Sequence, residues 1–268
     1  MTNIKLAFSP CPNDTFIFDA MVHNKIDTEG LEFDFEMADV EVLNHMAMQG
    51  KIDMCKVSYH AFLYLNSNYI MLDSGSAVGF GNGPLIISKK KYTMEDLEML
   101  TIAIPGEYTT AHLLLKIIAP LARKKKVMVF HEIEGAVSSG EVDAGVIIHE
   151  NRFTYENKGL RKVADLGEYW ENRMHSPVPL GGIIVKKSFG SEVISKINRI
   201  MHRSVVFALQ NPGSVMDFVR ENAQEMDEEV MKKHIGLYVN DFTVDLGEEG
   251  KKAVQKLFET AKDFIPKI

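Results

Sequence analysis

The sequence predicts an α/β protein of two lobes that share one cleft. Three observations carry that prediction. Short β-branched runs alternate with stretches of helical period along the 268 residues. Three kinds of segment occur twice in the same order. Each copy closes a strand or opens a helix with polar residues, among them His149, directly after the apolar run Ala144 to Ile148.

The elements follow in order. Ile4 to Phe8 reads as a strand. Ser9 to Asp14, SPCPND, reads as a loop, because two prolines in three residues break helix and central strand alike. Asn13 or Asp14 then caps a helix from about Thr15 to His23. Leu31 to Met37 alternates as a strand. Asp39 caps a helix with Val40, Leu43, Met46 and Ala47 on one face, and Gly50 ends it. Ile52 to Val57 is a short strand with Ser58, Tyr59 and His60 at its end. Gly75 to Pro84, GSAVGFGNGP, lacks the lysine of a phosphate loop. It reads as a flexible turn, the alternative being close backbone approach to a flat ligand. Leu85 to Ser88 is the next strand.

Thr101 to Ile104 opens the second half, and Ala111 to Ala122 reads as a helix. The basic run Arg123 to Lys126 reads as its solvated cap. Val127 to His131 reads as a strand, a short helix ends at Gly140, and Ala144 to Ile148 follows as a buried strand. Leu180 to Lys186 is a further strand. From Ser191 onward the pattern is almost all helical, with Ser214 as a cap and Glu248 to Phe264 as the last helix.

Composition excludes several partners. At 46% hydrophobic and 25% charged residues the chain is ordinary globular protein. A net charge of -7 argues against nucleic acid and anionic membranes, while leaving a small anion open. No apolar stretch reaches the ~18–20 residues of a membrane span. The start, MTNIKLAFSPCPND, does not read as a signal peptide, so a cytoplasmic location is expected. Cys11 and Cys55 alone make neither a disulfide framework nor a cysteine-based zinc site. Neither His131-Glu132 nor His149-Glu150 continues into HExxH, so no metal is expected.

The repeat organises the rest. LAFSPCPNDTFIF from Leu6 has its counterpart in IAIPGEYTTAHLL from Ile102. GKIDMCKVSYH from Gly50 is matched by GEVDAGVIIHE from Gly140, and PLIISKK from Pro84 by GGIIVKK from Gly181. A period of ~90 residues is too long for a solenoid and fits two similar lobes. Residues 1–90 with 174–268 are expected to form one, and 91–173 the other. The crossings are expected near Lys89 to Tyr92 and near Arg173 to Leu180. This is the layout of the type II periplasmic-binding-protein fold.

Ligands of open α/β sheets sit beyond the carboxyl ends of the strands. There the first lobe offers Asn13, Asp14 and Thr15 at a helix start and Lys56, Val57 and Ser58 at a strand end. The second offers Thr109, Thr110, Ala111 and His149, with Arg152 close in sequence. Helix N-termini carry unpaired N–H groups and partial positive charge, which suits a carboxylate or phosphate. The hydroxyls of Ser58, Thr109 and Thr110 add donors. Alone, His149 could equally be a structural histidine at a strand end.

Four strings are long and unusual: SPCPNDTFIF at Ser9, KVSYHAF at Lys56, PGEYTTA at Pro105 and IIHENRFTY at Ile147. In these, and in LGEYWE, PVPLGG and GEEG further on, the chain resembles the 1,4-dihydroxy-6-naphthoate synthases of the futalosine route to menaquinone. The resemblance runs nearly end to end. It implies a carbon–carbon lyase acting on cyclic dehypoxanthinyl futalosine, an aromatic carboxylate, with release of dihydroxyacetone and with no cofactor, because formation of the aromatic ring supplies the driving force. It further implies His149 as the base, and Lys56, Val57, Ser58, Thr110 and Ala111 as substrate contacts. Two rival readings share the fold: a small-anion binding protein, and an enzyme like chorismate dehydratase.

Overall fold

The computed structural model describes residues 2–223 and 227–265. Its strands are β1 (Thr2–Phe8), β2 (Leu31–Met37), β3 (Met54–Ser58), β4 (Tyr69–Met71), β5 (Ala77–Gly79), β6 (Leu85–Ser88), β7 (Ile102–Ile104), β8 (Lys125–Val127), β9 (Ala144–Ile147), β10 (Arg161–Asp165) and β11 (Val178–Lys186). They form two mixed sheets. One runs β2-β1-β3-β11-β4, with β5 also on β11, and the other runs β10-β6-β9-β7-β8.

The sequence repeat is a topological repeat. In the first sheet β1 pairs in parallel with β2 and β3, and β11 lies antiparallel to β3. In the second, β7 pairs in parallel with β8 and β9, and β6 lies antiparallel to β9. Helices Pro12–Val22 and Val40–Met48 make the crossovers of the first set; Thr110–Ile118 and Ile133–Ser139 make those of the second. Parallel neighbours require such crossovers, so each βαβ unit aims one helix N-terminus at its strand ends.

The strand Leu85–Ser88 corrects the expected crossing. It pairs with β9 and β10 of the second sheet, so the chain changes sheet between Gly79 and Leu85, before Lys89. The return lies between Asp165 and Val178. Leu85, Ile86, Ile87 and Ser88 are all buried, and a run buried on both faces carries no mark of which sheet owns it.

Other boundaries moved for local reasons. The first helix begins at Pro12, not Thr15, with Cys11 as its N-cap, because proline suits the first helical position. The glycine-rich loop contains the strand Ala77–Gly79. The helix from Thr110 stops at Ile118, since Pro120 removes the extended reading to Ala122. Lys125 and Lys126 stand in the edge strand β8, where lysines protect an open edge; they are not a helix cap. Phe130–Glu132 is a 3-10 turn, not the end of a strand.

Buried side chains of β1, Ile4, Leu6 and Phe8, pack with Ile197, Ile200, Met201 and Val205 of the long helix Gly190–Gln210. The long helix thereby clamps the first sheet. The chain continues as helices Pro212–Asn222, Glu228–Tyr238, Asp241–Val244 and Gly247–Ala261, the last sharing an apolar cluster with Leu113, Leu114 and Ile117. Among the described residues no helix is long and apolar enough to cross a membrane.

Candidate functional site

A cleft lies where the carboxyl ends of the strands of the two sheets meet. It encloses about 700 Å³ of empty space, part of it open to solvent. Small-molecule sites span roughly 300–1,000 Å³. Asn13, Asp14, Lys56, Val57, Ser58, Thr109, Thr110, Ala111 and His149 all line it.

Lys56 and Asp14 form a buried pair. Lys56 Nζ lies 2.9 Å from Asp14 Oδ1 and donates to the Gly75 carbonyl at 3.0 Å. The second oxygen of Asp14 accepts from the Ser9 hydroxyl at 2.7 Å and the Ser9 N–H at 3.2 Å. The lysine is thus neutralised inside the protein. It positions the wall of the cleft and brings no net charge to a ligand.

Ser58 differs. Its N–H donates to Asn44 Oδ1 at 3.0 Å, and its Oγ accepts from Asn44 Nδ2 at 3.3 Å. The same Asn44 amide nitrogen donates to Glu41 at 3.1 Å. Both acceptor and backbone donor of Ser58 are therefore engaged, while its hydroxyl proton has no protein acceptor among the described residues. That proton can serve a ligand oxygen.

Glu41 ties the lobes. It stands at the start of helix Val40–Met48 in the first lobe. Its carboxylate accepts the Tyr108 N–H of the second lobe, at 3.0 and 3.2 Å. A Cβ on Gly106 would lie 2.5 Å from the Glu41 carboxyl, so glycine is required for this approach.

The second helix start presents backbone, not hydroxyls. Thr109 caps the helix by accepting from His112 N–H at 3.3 Å, and donates to Gly106 O at 2.9 Å. Thr110 donates to Leu180 O at 2.6 Å. The expectation that both threonines offer hydroxyl donors is corrected. First-turn N–H groups at Thr110 and Ala111 have no intrahelical acceptor and point outward at the positive end of the helix.

His149 follows β9 and opens a 3-10 turn, His149–Phe153. Its φ is +59°, in the left-handed region, which is uncommon for residues other than glycine. The strand ends at Ile147, so alternation does not set the direction of Glu150. The Phe130 ring packs against the His149 ring edge-on, with centroids 4.8 Å apart. Among the described residues the buried His149 Nε2 has no hydrogen-bond partner.

Two residues here were not found from sequence. His234, fully buried, holds Asn13 Oδ1 at 2.9 Å through Nε2, and its ring stacks 6.2 Å from that of His149. Asn13 Nδ2 donates to Asp14 at 2.9 Å, so its oxygen is the acceptor and His234 Nε2 carries the proton. Burial drives the His234 pKa well below the usual value, with His149 and Arg152 acting in the same direction. Tyr238 lines the cleft, and burial pushes its hydroxyl up to about 12, so it stays a neutral donor. A signal existed: Met231, His234 and Tyr238 share the buried face of helix Glu228–Tyr238, where a histidine is out of place.

Two expected residues lie outside the lining. Thr15 is fully buried, and its hydroxyl returns to the Cys11 carbonyl at 3.2 Å. Arg152 donates to the Gly83 carbonyl at 2.9 Å and pairs with Asp165 at 3.4 Å, bracing the crossing segment.

Known proteins resemble this chain closely. A family profile described as Menaquinone biosynthesis matches residues 4–263. A 1,4-dihydroxy-6-naphthoate synthase of Thermus thermophilus is 42% identical over 98% of this chain and 95% of its own. One of Streptomyces coelicolor is 43% identical over 96% and 92%. A crystal structure of a protein from Archaeoglobus fulgidus superposes with a TM-score of 0.92 at 35% identity, covering 98% of this chain and 97% of that one. The alkanesulfonate-binding protein SsuA of Xanthomonas axonopodis, bound to MOPS, reaches a TM-score of 0.74 at 14% identity, covering 100% and 95%; that likeness concerns the fold. The architecture is therefore that of the periplasmic-binding-protein-like folds, and the chain belongs to the menaquinone-biosynthesis family, alongside the 1,4-dihydroxy-6-naphthoate synthases.

Proposed function

We propose that this protein is a 1,4-dihydroxy-6-naphthoate synthase that cleaves cyclic dehypoxanthinyl futalosine to the naphthoate and dihydroxyacetone, with His149 as general base. One observation carries the reading. An imidazole held rigidly at a strand end, with no competing hydrogen bond to Nε2, lines the same cleft as an anion-suited helix N-terminus.

The substrate carboxylate takes the first-turn N–H groups of Thr110 and Ala111 and the hydroxyl proton of Ser58. Val57 lines the adjoining wall, and Asn13, Asp14 and Lys56 hold that wall in place. His149 removes a hydroxyl proton next to the carbon–carbon bond that breaks; neutral imidazole suits this near pH 7. The electron pair of the O–H bond forms a carbonyl on the departing three-carbon fragment. The pair of the broken bond passes into the ring system, which becomes aromatic. The reading carries with it the cytoplasmic location expected from the sequence.

The test is direct. The purified protein is incubated with cyclic dehypoxanthinyl futalosine and followed for the naphthoate chromophore. Saturable appearance of that chromophore supports the proposal. Tight binding without turnover would instead favour a small-anion binder.

A further inference from the structure

We infer that Cys11, His149 and Glu150 form a site for a thiophilic divalent cation of the zinc class, and that its occupation switches the cleft off. Cys11 stands before the first helix of one lobe, while His149 and Glu150 follow β9 of the other. One ligand atom from each lies within 4.8 Å of the others. Around a tetrahedral zinc, bonds of ~2.0–2.3 Å place ligand atoms roughly 3.4–3.8 Å apart. Side-chain shifts of about 1 Å close the set.

A second observation points to a ligand. His149 Nε2, Glu150 Oε2 and His234 Nδ1 are buried and have no hydrogen-bond partner among the described residues. Glu150 is 6% exposed and His234 0%. Because His234 Nε2 carries the proton, its Nδ1 is a bare acceptor, and it faces Glu150 Oε2 at 3.8 Å. Two acceptors facing one another in a dry site lack what a cation supplies. His234 Nδ1 flanks that oxygen from outside the three-residue set.

A divalent ion displaces the proton of the Cys11 thiol on binding. The balance is one metal ion in and one thiol proton out to buffer. A donor set of one sulfur, one imidazole nitrogen and one carboxylate oxygen selects zinc-like ions over magnesium or calcium.

Inhibition rests on the proposed role of His149, since a lone pair given to a metal cannot accept a proton; metal binding does not. The full chain is titrated with Co2+ and followed for thiolate-to-cobalt charge-transfer absorption. Zn2+ affinity is measured against a chelating dye. The expected result is one equivalent of Co2+ with a thiolate band. Cys11→Ser and Cys11→Ala, checked for unchanged melting, lose the band and bind Zn2+ at least about tenfold more weakly, whereas Cys55→Ser keeps both. Zn2+ then inhibits wild-type turnover, a chelator restores it, and the Cys11 variants resist. Absence of the band, or equal Zn2+ affinity in the Cys11 variants, overturns the site. If wild type never turns over the futalosine derivative, the proposed function falls, and the cobalt band still judges the metal site.

Discussion

Replacing His149 by Asn should separate catalysis from stability. His149 sits at φ +59°, a conformation that asparagine adopts more readily than histidine. Relief there acts in the stabilising direction. Loss of the edge-on contact with the Phe130 ring acts against it, by roughly 0.5–1 kcal/mol. The orphaned Nε2 leaves no hydrogen bond to lose. The net change in folding stability is therefore expected to stay within about 1 kcal/mol. Turnover should fall at least about a hundredfold, the lower end of general-base catalysis, which is about 2.7 kcal/mol of barrier. Affinity should stay within a few-fold, because the proposed site for the carboxylate is Ser58 and the Thr110 helix start. The assay pairs urea melts with single-turnover formation of the naphthoate chromophore and a binding titration. Near-wild-type turnover would refute the base assignment. Destabilisation above about 2 kcal/mol would refute the strain argument, and loss of binding with an intact fold would make His149 a substrate anchor.

Four further outcomes are expected. Ser58→Ala removes the free hydroxyl proton and should weaken substrate binding by roughly 1–3 kcal/mol; unchanged affinity in a binding titration would mean that the hydroxyl serves only Asn44. Glu41→Ala removes the charged acceptor of the Tyr108 N–H across the lobes, a bond worth roughly 1.5–3 kcal/mol; KM should rise by about tenfold or more with a smaller change in kcat, and equal KM values would show that the tie plays no part in closure. Lys56→Met leaves Asp14 buried without its cation and should cost about 3–5 kcal/mol in thermal or urea melts; a loss below about 1 kcal/mol would show that Ser9 and Asn13 suffice for Asp14. Burial, first among the causes, lowers His60 to about 3 and His112 to about 4, and His234 well below its usual value. Their folded values lie below the unfolded value, so the unfolded chain binds more protons under about pH 6.5. This contribution is fully present above that pH and is lost as pH falls, so the urea midpoint should drop from pH 7 to pH 5, less steeply in His60→Gln; a flat midpoint would count against the burial of these rings.

Hydrophobic period and turn chemistry are local, so they revealed most strands, the capped helix from Asp39 and the left-handed stop at Gly140. The repeat also anticipated that two βαβ units present equivalent ends. Sheet ownership was a different matter. Leu85–Ser88 is apolar on both faces, and only its partners β9 and β10 place it in the second sheet. Pro12 and Pro120 set helix bounds that the apolar period alone does not mark.

At the site the residue types at strand ends and helix starts were readable, because a βα unit dictates where its own ends point. What each side chain spends its hydrogen bonds on was not. Lys56 meets Asp14, Thr110 meets Leu180, and Thr15 turns back to Cys11 because partners far along the chain, or the local helix, claim them first. His234 enters through a helix with no counterpart in the repeat. The sequence by itself determined the α/β class, the duplicated units and the chemistry available at their ends. Only the tertiary structure decided which of those groups are already satisfied and which, like the Ser58 proton and the His149 lone pair, are left for a ligand, because burial and long-range pairing are properties of the packed chain and not of any window along it.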